Sequence, residues 1–168
     1  PIARAPGTSP HICTEFPTDS PPVPFILNPM SNDPQQEGPV IRLMNVLLVD
    51  DSPSFLQVAR ELIVALPCVG GVACADSGAQ ALDLLGRARF DLVLTDIAMP
   101  DMSGFAMIRH LRALDDPPQV VAVTLHEAAE YRAAVLRSGA EAMISKRQFA
   151  GEAPALLAAM WTASASAA

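Results

Sequence analysis

The sequence predicts an α/β domain: a doubly wound parallel sheet of five strands, flanked on both faces by five helices. Three observations carry this. Short β-branched or leucine-rich runs recur at 46–49, 92–95 and 120–123. Such runs, apolar without alternation, belong to strands buried on both faces. The segments between them place apolar residues at helical spacing. The joins are short, and strict alternation of strand and helix forces crossover connections and a covered parallel sheet.

The elements follow in order. The first strand covers 45–50. Ser52 is a good N-cap and Pro53 suits the first helical position, predicting a helix over 53–66. On it Phe55, Leu56, Ala59, Leu62, Ile63 and Leu66 share one face. A second strand covers 70–75, and Ser77 opens a helix carrying Ala81, Leu82, Leu84 and Leu85. The third strand covers 90–96. Pro100 and Gly104 mark the loop 97–104 as a turn region. A third helix carries Phe105, Ile108 and Leu111, and the fourth strand covers 119–124. The fourth helix, 128–137, stops at Ser138-Gly139, a C-terminal helix signal. The fifth strand covers 142–145. The last helix covers 152–161, with Leu156, Leu157 and Met160 as a core-facing stripe and Trp161 packing it onto the domain.

The chain has 168 residues, enough for one domain. At 51% hydrophobic and 17% charged it can fill a core, and its net charge of −7 lacks the basic footprint of a nucleic-acid binder. Ten of the 16 prolines fall within residues 1–39. Proline removes backbone donors and drives its neighbours toward extended conformations, so residues 1–44 are expected to be a disordered tail. A Pro-rich recognition peptide is a weaker reading, since no basic residues flank a P-x-x-P repeat, and a third is that translation begins at Met30 or Met44. The domain is then expected over 45–163, with a short small-residue tail over 164–168. Cys13, Cys68 and Cys74 are odd in number and lack metal-ligand spacing. Reduced thiols and a cytoplasmic location are expected. Neither a bilayer-spanning run nor a signal-peptide pattern is present.

Five polar residues stand at the ends of the apolar runs: Asp50, Asp51, Asp96, Thr124 and Lys146. Open parallel sheets place their ligands at the C-terminal ends of strands. Singly, each residue is ordinary: an acid at a helix start, a structural threonine, a solvated lysine. Together they describe a metal and phosphoryl site. Asp50, Asp51 and Asp96 meet if the first and third strands are neighbours, as they are in the 2-1-3-4-5 strand order. Three crowded carboxylates need a cation, and Mg²⁺ suits carboxylate and phosphate oxygens. A carboxylate can also act as a nucleophile toward a phosphoryl group. Lys146 can pair with a phosphoryl oxygen as a point charge, and the Thr124 hydroxyl can donate to another.

The segments VLLVDD (46–51), DLVLTDIAMPDMSG (91–104), VVAVT (120–124) and SGAEAMISK (138–146) resemble the receiver domain of bacterial two-component response regulators. That resemblance implies a flavodoxin-like fold, and a single-domain form is expected because the sequence runs only seven residues past Trp161. It implies that Asp96 is the phosphoacceptor, taking a phosphoryl group from a histidine kinase or histidine phosphotransfer protein. It assigns Asp50 and Asp51, with Asp96 and the Ala98 backbone carbonyl, to Mg²⁺. Thr124 becomes the switch hydroxyl and Lys146 the lysine that pairs with the phosphoryl group. A downstream protein, unidentified, reads the switching face, with no direct contact to nucleic acid and no membrane insertion. Segment 124–146 is most similar to receivers that precede a helix-turn-helix output domain. Three neighbours depart from the family pattern: Leu125 where a small residue is usual, Met143 where an aromatic is common, and Arg147 in place of proline.

Two alternatives stand beside this reading. One is a receiver-fold interaction domain that works without phosphorylation. The other is a Mg²⁺-dependent phosphatase acting through an aspartyl-phosphate. Such enzymes commonly carry a second acid two residues after the nucleophile, where this chain has Ala98. The expectation is therefore a binding module, not an enzyme, beyond its own phosphorylation and dephosphorylation.

Overall fold

The computed structural model describes residues 42–165. Its elements are β1 (Met44–Val49), α1 (Pro53–Val64), β2 (Val69–Ala75), α2 (Gly78–Arg87), β3 (Leu92–Asp96), α3 (Gly104–Arg112), β4 (Gln119–Thr124), α4 (Ala129–Arg137), β5 (Ala142–Ser145) and α5 (Phe149–Ala165). The five strands form one sheet in the order β2-β1-β3-β4-β5, every pair parallel. This is the doubly wound, flavodoxin-like topology read from the sequence.

Successive strand residues point to opposite faces, so each strand feeds two cores. Leu47, Val49, Val93 and Ala122 pack with Met107, Ile108 and Leu111 of α3 and Val135 of α4. Val46, Leu48, Leu94 and Val121 pack on the other face with Leu56, Ala59 and Ile63 of α1 and Ala153 and Leu157 of α5. Burying a leucine or isoleucine of this kind contributes about 1.5–3 kcal/mol. The sheet is therefore a rigid platform whose strand ends are held at fixed spacing.

Local signals act as expected in most places. The Ser52, Ser77 and Ser103 hydroxyls each accept a backbone N–H from the first turn of the helix that follows. Gly139 adopts φ +110°, and its N–H closes onto the Leu136 carbonyl at 3.1 Å, ending α4. Trp161 packs against the α1–α5 core as expected.

Several boundaries differ from expectation. β1 begins at Met44, which is fully buried, so the last residue assigned to the tail belongs to the sheet. Arg42 pairs with Asp91. The rest of the expected tail, residues 1–41, lies outside the described residues. α1 ends at Val64, two residues early. β3 begins at Leu92, because Asp91 turns its carboxylate onto the Asn45 N–H at 2.8 Å. α5 begins at Phe149 and runs to Ala165, into the expected tail. Pro154 lies inside it and removes one helical hydrogen bond. Burial outweighs that loss: Phe149, Ala153 and Leu157 are 3%, 0% and 0% exposed and fall one turn apart.

Candidate functional site

The strand register sets the site. Val49 pairs with Thr95, so the residues that follow β1 face the end of β3. Asp96 pairs with Val123, and Thr124 pairs with Ser145, which brings β4 and β5 to the same edge. Asp50 and Asp96 are 1% and 5% exposed, whereas Asp51 is exposed. The Asp50 N–H donates to the Ala75 carbonyl at 3.0 Å, and its Oδ1 accepts the Ser52 N–H at 2.9 Å. Asp96 Oδ1 accepts the Ala98 N–H at 3.1 Å.

Gly104 lets α3 start directly against the Asp96 backbone. A Cβ there would lie 2.3 Å from the Asp96 carbonyl oxygen and 2.6 Å from the Ile97 Cα. Neither backbone atom can move without shifting Asp96 itself.

Lys146 closes the site. Its Nζ lies 2.6 Å from Asp50 Oδ2 and 2.8 Å from Asp96 Oδ2. Its backbone N–H donates to the Thr124 carbonyl at 2.8 Å, tying the two residues to each other. Thr124 is fully buried, and its hydroxyl accepts the His126 N–H at 3.1 Å. All five strand-end residues thus gather at one end of the sheet. The Ala98 N–H bond orders the loop that follows Asp96, in which Ala98 is exposed.

The electrostatics favour a cation. Burial pushes the Asp50 carboxyl above its ordinary value, and the Lys146 ammonium and the Ser52 N–H only partly offset this. Burial also disfavours the Lys146 ammonium, but hydrogen bonding and the charges of Asp50 and Asp96 outweigh it and push the lysine up. Asp50 Oδ2 sits close to the ammonium yet outside sound hydrogen-bond alignment, so this buried oxygen has no hydrogen-bond partner. One oxygen from each of Asp50, Asp51 and Asp96 lies within 4.8 Å of the others. Three hard oxygen donors, one of them orphaned, against a single ammonium fit a divalent cation such as Mg²⁺.

Several neighbours were not legible as site residues. The Phe55 ring lies under the ammonium, 5.0 Å from Nζ to the ring centroid, and the Phe149 ring meets it edge-on at 5.1 Å. Phe55 sits at core spacing on α1, which gives no separate signal. The Ser145 hydroxyl donates to Glu127 at 2.5 Å, joining β5 to the loop after Thr124. Tyr131 on α4 lies against both Phe105 and His126, with centroids 5.7 and 5.3 Å apart. Burial and the charge of Asp96 push the Tyr131 hydroxyl up. Of the three departures, Met143 is buried, while Leu125 and Arg147 are exposed. Met99 fills the core and Met102 packs against it.

The family model of the response regulator receiver domain matches residues 46–158. A response regulator receiver protein from Anaeromyxobacter sp. is 35% identical over 102 residues, 60% of this chain and 41% of that protein. The sensor histidine kinase RcsC of Salmonella typhimurium is 33% identical over 105 residues, 61% of this chain and 11% of the kinase. The chain therefore spans less than half the length of these relatives. Among solved structures, the response regulator domain of Thermotoga maritima CheB superposes with a TM-score of 0.63 at 26% identity, covering 72% of this chain and 98% of that domain.

Proposed function

We propose that this chain, which belongs to the response regulator receiver domain family, accepts a phosphoryl group on Asp96 and uses it to switch a partner-binding face. Receiver domains take part in two-component signalling, work with histidine kinases or phosphotransfer proteins, and bind Mg²⁺ at an acidic pocket. The observation that carries the proposal for this chain is the Lys146 ammonium, held between Asp50 and Asp96 at the sheet edge where Asp51 and Thr124 also lie.

The donor is a phosphohistidine on the kinase or phosphotransfer protein. An Asp96 carboxylate oxygen attacks phosphorus, the P–N bond breaks, and the imidazole leaves with the electron pair and takes up a proton. The product is an acyl phosphate on Asp96. Asp50, Asp51 and Asp96, with the Ala98 carbonyl, would hold Mg²⁺, which supplies neutralising charge to the crowded oxygens. Lys146 supplies a second positive charge to a phosphoryl oxygen. The Thr124 hydroxyl, now bonded to the His126 N–H, turns to donate to another. That exchange moves the loop after β4 and with it α4, and the shift in population of this face is what a partner reads.

The chain's own chemistry ends there. Ala98 offers no acid–base group two residues after Asp96, which argues against turnover of external phosphate esters. Among the described residues no helix is long and apolar enough to cross a membrane. Phosphoryl transfer from a histidine kinase or phosphotransfer protein supports a cytoplasmic location.

The test is direct. The purified chain is incubated with acetyl phosphate and Mg²⁺, and its intact mass is measured. The mass should rise by one phosphoryl group, and Asp96→Asn should abolish the rise. An adduct that persists in Asp96→Asn, or none in the parent chain, overturns the reading.

A further inference from the structure

The Lys146 ammonium has three N–H donors, and its carboxylate neighbours are Asp50 and Asp96. The face of Phe55 lies against it, 5.0 Å from ring centroid to Nζ. We propose that Phe55 is a positioning residue for Lys146: its ring holds the ammonium at the phosphoryl site by a contact that does not depend on the carboxylates. The proposal rests on Asp96 being the phosphoacceptor.

The two carboxylates are unreliable anchors for a lysine that must act. Their oxygens are the donors that fit a divalent cation, so each oxygen given to the cation is withdrawn from the ammonium. The ring carries no charge to be neutralised and ligates no hard cation. Its attraction to the ammonium comes from the negative face of the π-system and grows as water is excluded. Water is largely excluded here, since the Lys146 side chain is 11% exposed.

The ring is itself fixed from two sides. The Ser52 cap and Pro53 set the start of α1, and the Ser52 hydroxyl accepts the Phe55 N–H at 3.4 Å. Phe149, at the start of α5, meets the ring edge-on with planes at 73°. Phe149 follows Lys146 by three residues. The chain on the far side of the lysine therefore folds back onto the same ring that the ammonium rests on.

The test uses the full chain with Phe55→Leu, which keeps apolar bulk without a ring face, and Phe55→Tyr, which keeps the face. Thermal unfolding confirms that each variant is folded. The first readout is the proton NMR shift of the Lys146 ε-methylene group, which the ring moves upfield. The shift should be present in the parent chain with and without Mg²⁺, retained in Phe55→Tyr and lost in Phe55→Leu. The second readout is the rate of phosphoryl uptake from acetyl phosphate. Phe55→Leu should slow it roughly 2- to 30-fold, the span of a partly to fully desolvated cation–π contact, while Phe55→Tyr stays near the parent rate.

An upfield shift that collapses when Mg²⁺ is added, or a Phe55→Leu rate equal to the parent's, overturns the proposal. Failure of the underlying reading is separate. It shows as no uptake by the parent chain at all, whereas the NMR arm judges the ring contact without any phosphoryl transfer.

Discussion

At the scale of single residues, Asp50 carries the sharpest conflict between stability and function. It is buried, its carboxyl is pushed above the ordinary value of 3.8, and one of its oxygens lacks a hydrogen-bond partner. A raised folded value means that the ionised form is worse placed in the native state than in the unfolded chain. The penalty is present above the folded value and is relieved as pH falls through it. Asp50→Asn removes the charge at nearly constant shape and leaves Lys146 paired with Asp96. The variant should be more stable than the parent by about 1 kcal/mol at neutral pH without Mg²⁺, read from urea midpoints. A midpoint below the parent's would mean that the ionised Asp50 is a net stabiliser. The five strand-end residues were legible because each breaks an apolar run at its C-terminal end, where nothing in core packing calls for charge. Phe55 was not, because it obeys the same spacing as Leu56 and Ala59. Ser145 was not either, since a small hydroxyl at a strand end looks like any turn residue until its Glu127 partner is seen.

At the scale of elements, α4 is the most weakly anchored helix among those described. Its N-cap, Ala128, has no side chain to accept an N–H, and Val135 is its one buried residue. Beyond Val135 and the Tyr131 ring, what ties α4 and the preceding loop to the sheet is polar. The Arg132 guanidinium donates to the Met143 carbonyl at 3.0 Å, and the Ser145 hydroxyl donates to Glu127. The Tyr131 ring adds contacts to Phe105 and His126. The family's aromatic residue is absent at Met143, and these ties link β5 to α4 by another route. Ser145→Ala removes the Glu127 tie and leaves that carboxylate to water, a loss of about 1 kcal/mol. Amide exchange should quicken in residues 125–131 and stay unchanged in α1. Uniform quickening across the domain would mean that Ser145 supports the core and not this loop. Sequence patterning placed α4 correctly to within one residue through Gly139. It placed the start of α5 three residues late, because burial of Phe149 one turn before Ala153 and Leu157 carries the helix back past Glu152 in spite of Pro154.

At the scale of the whole molecule, topology is what turns dispersed residues into a site. Forty-four residues separate Asp51 from Asp96 along the chain, and only adjacency of β1 and β3 joins them. The acids alone called for that adjacency only conditionally, and the strand order that supplies it came from the doubly wound fold class. Only the folded chain assembles the three donors, so a cation that binds there adds stability by mass action, about 2.7 kcal/mol at a hundredfold excess over Kd. Protons compete for the same oxygens. Because the Asp50 folded value lies above 3.8, Asp50 takes its proton at a higher pH than in the unfolded chain. The cation should therefore lose its hold before an ordinary aspartate would titrate. The increment in unfolding temperature on adding Mg²⁺ should be full near neutral pH and should already shrink above 3.8, the ordinary aspartate value. It should be absent from Asp50→Asn at every pH. An increment that survives in that variant, or that persists unchanged to pH 3.8 in the parent, would place the cation on other groups and separate the metal site from the end of β1.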